Sequence, residues 1–161
     1  MRSCFQTLGI LLISWGSVAF AAGGGSETAS APSPELAKDP IIRAAKAGIA
    51  KQDWIGTQEL LKKAIASNPG NADYHNLYAF TTRKGPAPDM VLVLAEYAQA
   101  LRLDPKHRGA HEYLGEAYLQ INELAKAKLQ LAALDKLCSL GCEEYSDLKR
   151  SIQQYEAAHP L

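Results

Sequence analysis

Two stretches of this chain end alike, 36 positions apart (105 minus 69). They are Lys63-Ala64-Ile65-Ala66-Ser67-Asn68-Pro69 and Gln99-Ala100-Leu101-Arg102-Leu103-Asp104-Pro105. A third stretch, Ala133-Leu134-Asp135, keeps the phase and then departs from it. Self-similarity at a period of about 20–50 residues constrains a fold more than local propensity does. Each unit must bury an apolar face that it cannot cover alone, so neighbouring units stack. The unit itself is helical by pattern. Ile55, Leu60, Leu61, Ala64 and Ile65 recur at helical spacing, and so do Leu124, Ala127, Leu131 and Leu134. Ala and Leu dominate the composition while Val and Phe are scarce, a bias toward helix over sheet.

The positions between these endings resemble the tetratricopeptide repeat (TPR) family over about residues 38–135. The third unit carries Leu114, Gly115, Tyr118, Ala127 and Leu131, and departs where Leu134 stands for the family's Ala. The middle unit carries Tyr78, Ala79, Thr82, Val93, Tyr97, Ala100 and Pro105. The first carries Ala44, Ala45, Gly48, Thr57, Leu61, Ala64 and Pro69. A unit of that family is about 34 residues, two antiparallel helices with a proline after the second. The two extra residues of the middle unit fit in Gly85-Pro86-Ala87-Pro88, a lengthened turn between its helices. Gly115 and Ala127 are expected where the helices of a pair approach closely.

The expectation is therefore an all-α, TPR-type helical-hairpin solenoid of three repeats plus a C-terminal capping helix. The repeats span 38–71, 72–107 and 108–141, with the capping helix and tail at 142–161. Asp39-Pro40 supplies an N-cap and a first-turn proline at the start. Glu143-Glu144 opens the last helix, where acidic side chains suit the positive end of the dipole. Tyr145, Leu148, Ile152 and Tyr155 make its one apolar stripe, and Gly141 ahead of it is a helix stop.

The first residues have a different character. Arg2, an apolar stretch from Leu8 to Phe20 and Ala19-Phe20-Ala21 read together as a secretory signal peptide over 1–21. Residues 22–37 are rich in Gly, Ser and Pro and read as a flexible leader. The expected location is periplasmic or secreted. Cys4 would leave with the signal, so Cys138 and Cys142 remain, a pair in an oxidising compartment. The pair is expected as a structural disulfide between the last repeat and the cap. The rival readings are a redox-active pair, since Cys142 would stand at a helix N-terminus, and a metal site.

Chemistry is otherwise sparse. Lys plus Arg and Asp plus Glu number 17 each, so no basic excess exists to neutralise phosphates, and a nucleic-acid partner is not expected. No apolar run reaches the ~20 residues of a membrane-spanning helix once the signal is removed. There is no G-x-S-x-G, Walker, H-E-x-x-H or dinucleotide-binding motif. His107 and His111 are four apart beside Glu112, but no third ligand is obvious, and a solvated helix start is the expected reading. His75 takes a bulky packing position of the middle unit. No enzyme activity, no cofactor and no metal are expected.

The resemblance implies a groove lined by the first helix of each pair. Its groove positions fall on Asp39, Ile42, Lys46 and Ile49, then Asp73, Asn76, Phe80, Arg83 and Lys84, then Glu112, Glu116 and Leu119. The family's carboxylate clamp is only partly met: Asn76 fits it, but Glu112 and Glu116 would repel a peptide carboxylate. The function implied is an exported adaptor that binds a protein or extended peptide, in envelope assembly or the maturation of exported proteins. The alternative is a thiol-redox accessory using Cys138 and Cys142.

Overall fold

The computed structural model describes residues 39–139 and 141–160. The expected signal peptide and leader lie outside the described residues. Within them the regular structure is seven helices: α1 Pro40–Ala50, α2 Trp54–Ser67, α3 Ala72–Lys84, α4 Met90–Leu103, α5 Arg108–Gln120, α6 Leu124–Leu137 and α7 Glu143–Ala158. They form three antiparallel pairs followed by one helix.

Local chemistry fixes where the helices begin. Asp39 accepts from the Ile41 and Ile42 amides at 2.8 and 3.2 Å, and Pro40 follows as the first helical residue. Asn71 and Asp89 cap α3 and α4 in the same way. His107 caps α5 with its ring, Nδ1 accepting from the Ala110 amide at 3.1 Å. The pairs α1/α2 and α5/α6 turn on three residues, each turn holding one residue in the left-handed region: Gln52 at φ 57° and Asn122 at φ 62°. The α3/α4 connection runs through 85–89, two residues longer than its counterparts, and this sets the wider spacing of Pro69 and Pro105.

Each helix packs on the next, and the first helices of successive pairs also touch: α1 with α3, α3 with α5, α5 with α7. Three apolar clusters fill the stack. One joins Ile42, Ala45, Leu61, Ala64, Tyr74 and Leu77 across α1, α2 and α3. The second joins Ala79, Val93, Tyr97, Leu114 and Ala117 across α3, α4 and α5. The third joins Leu119, Ala127, Leu134, Leu148 and Ile152 across α5, α6 and α7, with Tyr145, Leu131 and Tyr155 against it. Every cluster spans one pair and the next helix, so the stacking expected of a repeat protein is how the core is built. Burying a side chain such as Leu61, Leu134 or Leu148 contributes about 1.5–3 kcal/mol.

Two packing expectations are corrected. Ile55 is 64% exposed and does not join the core, because it stands on the side of α2 opposite the buried Thr57, Leu61 and Ala64. Gly115 does not open space for its own partner helix. A Cβ there would lie 2.6 Å from both methyls of Leu148, so the position is small to admit α7. Close approach within a pair is instead found at Gly48, where a Cβ would collide with the Thr57 hydroxyl.

Repeated polar bonds tie the units together. His75 donates from Nε2 to the Pro69 carbonyl at 3.0 Å and meets Glu96 through Nδ1 at 2.6 Å. His111, 36 positions on, repeats this with the Pro105 carbonyl at 3.1 Å and Gln130 at 2.8 Å. Each imidazole clamps the proline turn ahead of it to the second helix of its own pair. Tyr74 donates to Asp39 at 2.8 Å across the first two units. Burial and that carboxylate push its phenol up to about 12.

Candidate functional site

The first helix of each pair and α7 lie side by side, so α1, α3, α5 and α7 share one face. Register carries related positions along it. Asn76 on α3 and Glu112 on α5 each stand on the fifth residue of their helix, and Asp147 holds that place on α7. Phe80, Glu116 and Ser151 follow one turn later. Ser151 donates to Glu116 at 3.4 Å across the α5/α7 contact.

Apart from Asp39, which caps α1 and accepts from Tyr74, the groove residues expected from sequence divide into three groups. Ile42, Ile49 and Leu119 belong to the core: Ile42 and Leu119 are buried within the first and third clusters, and Ile49 packs against the first. Apolar side chains on the first helices turn inward because the next helix covers them, so these three are withdrawn as groove contacts. Lys46 and Lys84 are exposed. Asp73, Asn76, Phe80, Arg83, Glu112 and Glu116 lie on α3 and α5 in the middle of the face, and among them Arg83 joins Phe80 to Glu116. Of these, Asn76, Arg83 and Glu112 are buried, not the solvated groove lining expected.

Arg83 organises the set. Its side chain is 1% exposed and pairs with Glu116 at 2.7 Å, reaching from α3 to α5. Its guanidinium also sits 5.7 Å from the Phe80 ring centre and 6.0 Å from that of Tyr113. The two rings are 4.8 Å apart, and Trp54 extends the row at 6.4 Å from Phe80. The Lys84 Nζ lies over the same Phe80 ring, 5.9 Å from its centre. Tyr97 is fully buried, and burial pushes its phenol well above the ordinary range. Asp73 accepts from His107 Nε2 at 3.2 Å, one unit to the next.

Glu112 contrasts with these. It is 8% exposed, and the strongest influences on its carboxyl are burial and then the negative charges of Glu116, Asp147, Glu144 and Glu143. Together they push it up to about 8. Burial, then the negative charges of Glu112, Glu116 and Glu144, push the Tyr113 phenol up to about 12 against the opposing charge of Arg83.

His107 and His111 do not converge. His107 turns to Asp73 and its own helix start, His111 to Gln130 and Pro105. Among the described residues no cluster of three metal-ligating side chains occurs. The Cys138 and Cys142 sulfurs are at bonding distance, 2.08 Å, with Cα atoms 5.6 Å apart. Cys138 ends α6 and Cys142 precedes α7, so the bond closes the corner between them.

Trp54, Tyr113, Asp147 and Ser151 were not among the sequence-derived groove positions. The last two were within reach of the repeat register, had it been carried into α7. Tyr113 and Trp54 had no periodic signal, since their part in the aromatic row depends on where Phe80 falls.

No protein-family model and no curated protein sequence matches the chain. Among solved structures, one similar in fold is the first TPR of Spaghetti (RPAP3), bound to the HSP90 peptide SRMEEVD. The two agree with a TM-score of 0.61 over 73% of this chain and 90% of that one, at 16% sequence identity. Three stacked helix pairs, a closing helix and this likeness give the chain the tetratricopeptide-type helical-repeat fold.

Proposed function

We propose that the chain is an exported adaptor that binds a protein or extended peptide along the face shared by α1, α3, α5 and α7. The observation that carries this is the Arg83–Glu116 pair on that face with Phe80 and Tyr113 half-buried beside it. Rings give large contact area at low entropic cost, and polar groups between them set register. The similar TPR domain is itself bound to a peptide, which supports the reading by analogy of fold. Export rests on the N-terminal sequence, from Arg2 through Ala19-Phe20-Ala21.

A photo-crosslinking residue placed in turn at Lys84, Ser151 and Lys62 tests the surface. The first two lie on the proposed face, and Lys62 is exposed on α2. Crosslinks to a partner from Lys84 and Ser151 alone are expected. Equal labelling from Lys62 defeats the reading. For export, the protein isolated from the host envelope should begin just after Ala21, and an intact Met1 there would refute cleavage.

A further inference from the structure

We infer that the His75–Glu96 pair is a proton-dependent joint: the two contacts that hold the Pro69 turn to α4 coexist only while the imidazole carries a second proton, and rising pH undoes them. The observation is a mismatch of donors and acceptors. Nε2 of His75 lies 3.0 Å from the Pro69 carbonyl, which can only accept. Nδ1 lies 2.6 Å from a Glu96 carboxylate oxygen, which also accepts when ionised. A neutral imidazole has a single N–H, so it satisfies one of the two and turns a lone pair toward the other. Both contacts together need one proton more, and the ring takes it as the stronger base of the pair. With the two side chains 7% and 20% exposed, solvent does little to replace a lost contact.

The third helix pair builds the same clamp without that need. His111 sets Nε2 against the Pro105 carbonyl at 3.1 Å and Nδ1 against Gln130 at 2.8 Å. Gln130 is the seventh residue of α6, as Glu96 is of α4. A carboxamide turned to present its nitrogen donates to Nδ1, so a neutral ring satisfies both partners there. One residue, Glu in place of Gln, therefore makes the clamp of the second pair sensitive to protons.

The charged groups around His75 and Glu96 are engaged elsewhere. On α2, Glu59 and Lys62 meet each other at 3.7 Å. Asp89 caps α4, and Asp73 on α3 accepts from His107 at the start of α5. Tyr78 on α3 is governed first by burial, then by Lys62, Glu96, Glu59 and Asp89, and its phenol is held above its ordinary value, so it stays uncharged near neutral pH. An unfolded chain releases its histidine protons above about pH 6.5, whereas the folded pair retains one. The folding equilibrium therefore falls as pH rises through that range, by at most about ten-fold per pH unit for one proton.

Denaturant curves of the full chain from about pH 6 to about pH 9 test this. The parent should lose several-fold in its folding equilibrium against Glu96→Gln, whose amide can serve Nδ1 as Gln130 does. Glu112 is present in both proteins, so its own pH dependence cancels in the comparison. Nitrogen NMR of the histidine rings should show two N–H groups on His75 in the parent at the acid end, one of them lost as the slope develops. Gln130→Glu should make His111 release its proton at a higher pH than in the parent. Parallel curves for the parent and Glu96→Gln overturn the inference, and so does a single N–H on His75 at the acid end. Should Glu96→Gln not fold, the ring signals of the parent and of Gln130→Glu decide, and a His111 whose titration the new carboxylate leaves unmoved also overturns it.

Discussion

Glu112 is a carboxyl held where its charged form is least stable, and the consequence is a pH dependence of a definite sign. Its ordinary value is 4.5, and burial with Glu116, Glu143, Glu144 and Asp147 around it raises this to about 8. Between those values the folded chain keeps a proton that the unfolded chain has released. Stability contributed by this residue therefore falls as pH rises through that window and is flat above it. Glu112→Gln removes the slope and should be more stable than the parent at about pH 8 by ~1–2 kcal/mol, several degrees of melting temperature. Melts of both proteins across pH check it, and parallel curves would refute it. Gly115 gives a second test at this scale. Gly115→Leu should cost more than Gly85→Leu, because Leu148 is fully buried and has nowhere to go, at about 1–3 kcal/mol or more of overpacking. Gly85 follows α3, and an added Cβ would lie 3.0 Å from the Gln58 amide nitrogen and 3.1 Å from the Thr81 carbonyl, tight contacts but wider than the 2.6 Å met at Gly115. Thermal melts of the two variants decide, and equal loss would discredit the packing of α7. The need for a small residue at Gly115 was legible in the sequence through the family's pattern. The helix it admits was not, since that depends on which neighbour arrives there in space. Ile42 and Leu119 failed as groove residues for the same reason: a position on a first helix reads as groove or core only once the next helix is placed.

At the scale of elements, phase was legible and roles were less so. The Asx-Pro endings, the caps at Asp39 and the long turn at Gly85 to Pro88 all follow from short-range chemistry, which a sequence exposes directly. Helix α7 was read as a cap from its apolar stripe, and Leu148 and Ile152 do close the third cluster. Its other face continues the register of α3 and α5 through Asp147 and Ser151, and a stripe of apolar residues carries no sign of that. His111 was read as a solvated helix start because spacing alone shows neither the Pro105 carbonyl nor Gln130. The paired histidines differ in burial, and so should their mutants. His75→Ala should cost about 1–3 kcal/mol, because it empties a buried position and leaves the part-buried Glu96 carboxylate without its partner. His111→Ala should cost less, because water replaces the ring. Denaturant midpoints check the order, and a reversed order would contradict the clamp. The cysteine corner gives another. Cys138→Ser with Cys142→Ser should keep the helical signal and lose about 2 kcal/mol. Peptide capture should survive, and its loss with the fold intact would favour a redox role for the pair instead.

Across the whole molecule the shared face is electrically graded. Lys46 and Lys84 stand exposed toward α1 and the end of α3, while Glu112, Glu116, Glu144 and Asp147 gather between α5 and α7. Arg83 belongs to neither region as a free charge, because its side chain is spent holding α3 to α5 through Glu116. Reversing the three cations is therefore not one experiment. Lys46→Glu with Lys84→Glu changes exposed side chains, each expected to shift stability by under about 0.5 kcal/mol. Because both charges stand on the proposed face, the double variant should change the rate of partner association at low salt, and the change should shrink as salt rises. Arg83→Glu should lower stability by about 3–5 kcal/mol on its own, since it sets a second carboxylate against Glu116 in a buried site beside Phe80 and Tyr113. Melting curves and stopped-flow association at two salt concentrations separate the effects. An Arg83→Glu protein that melts like the parent would show that the pair does not join the units. A double variant that captures its partner normally at low salt would show that the partner does not use this face.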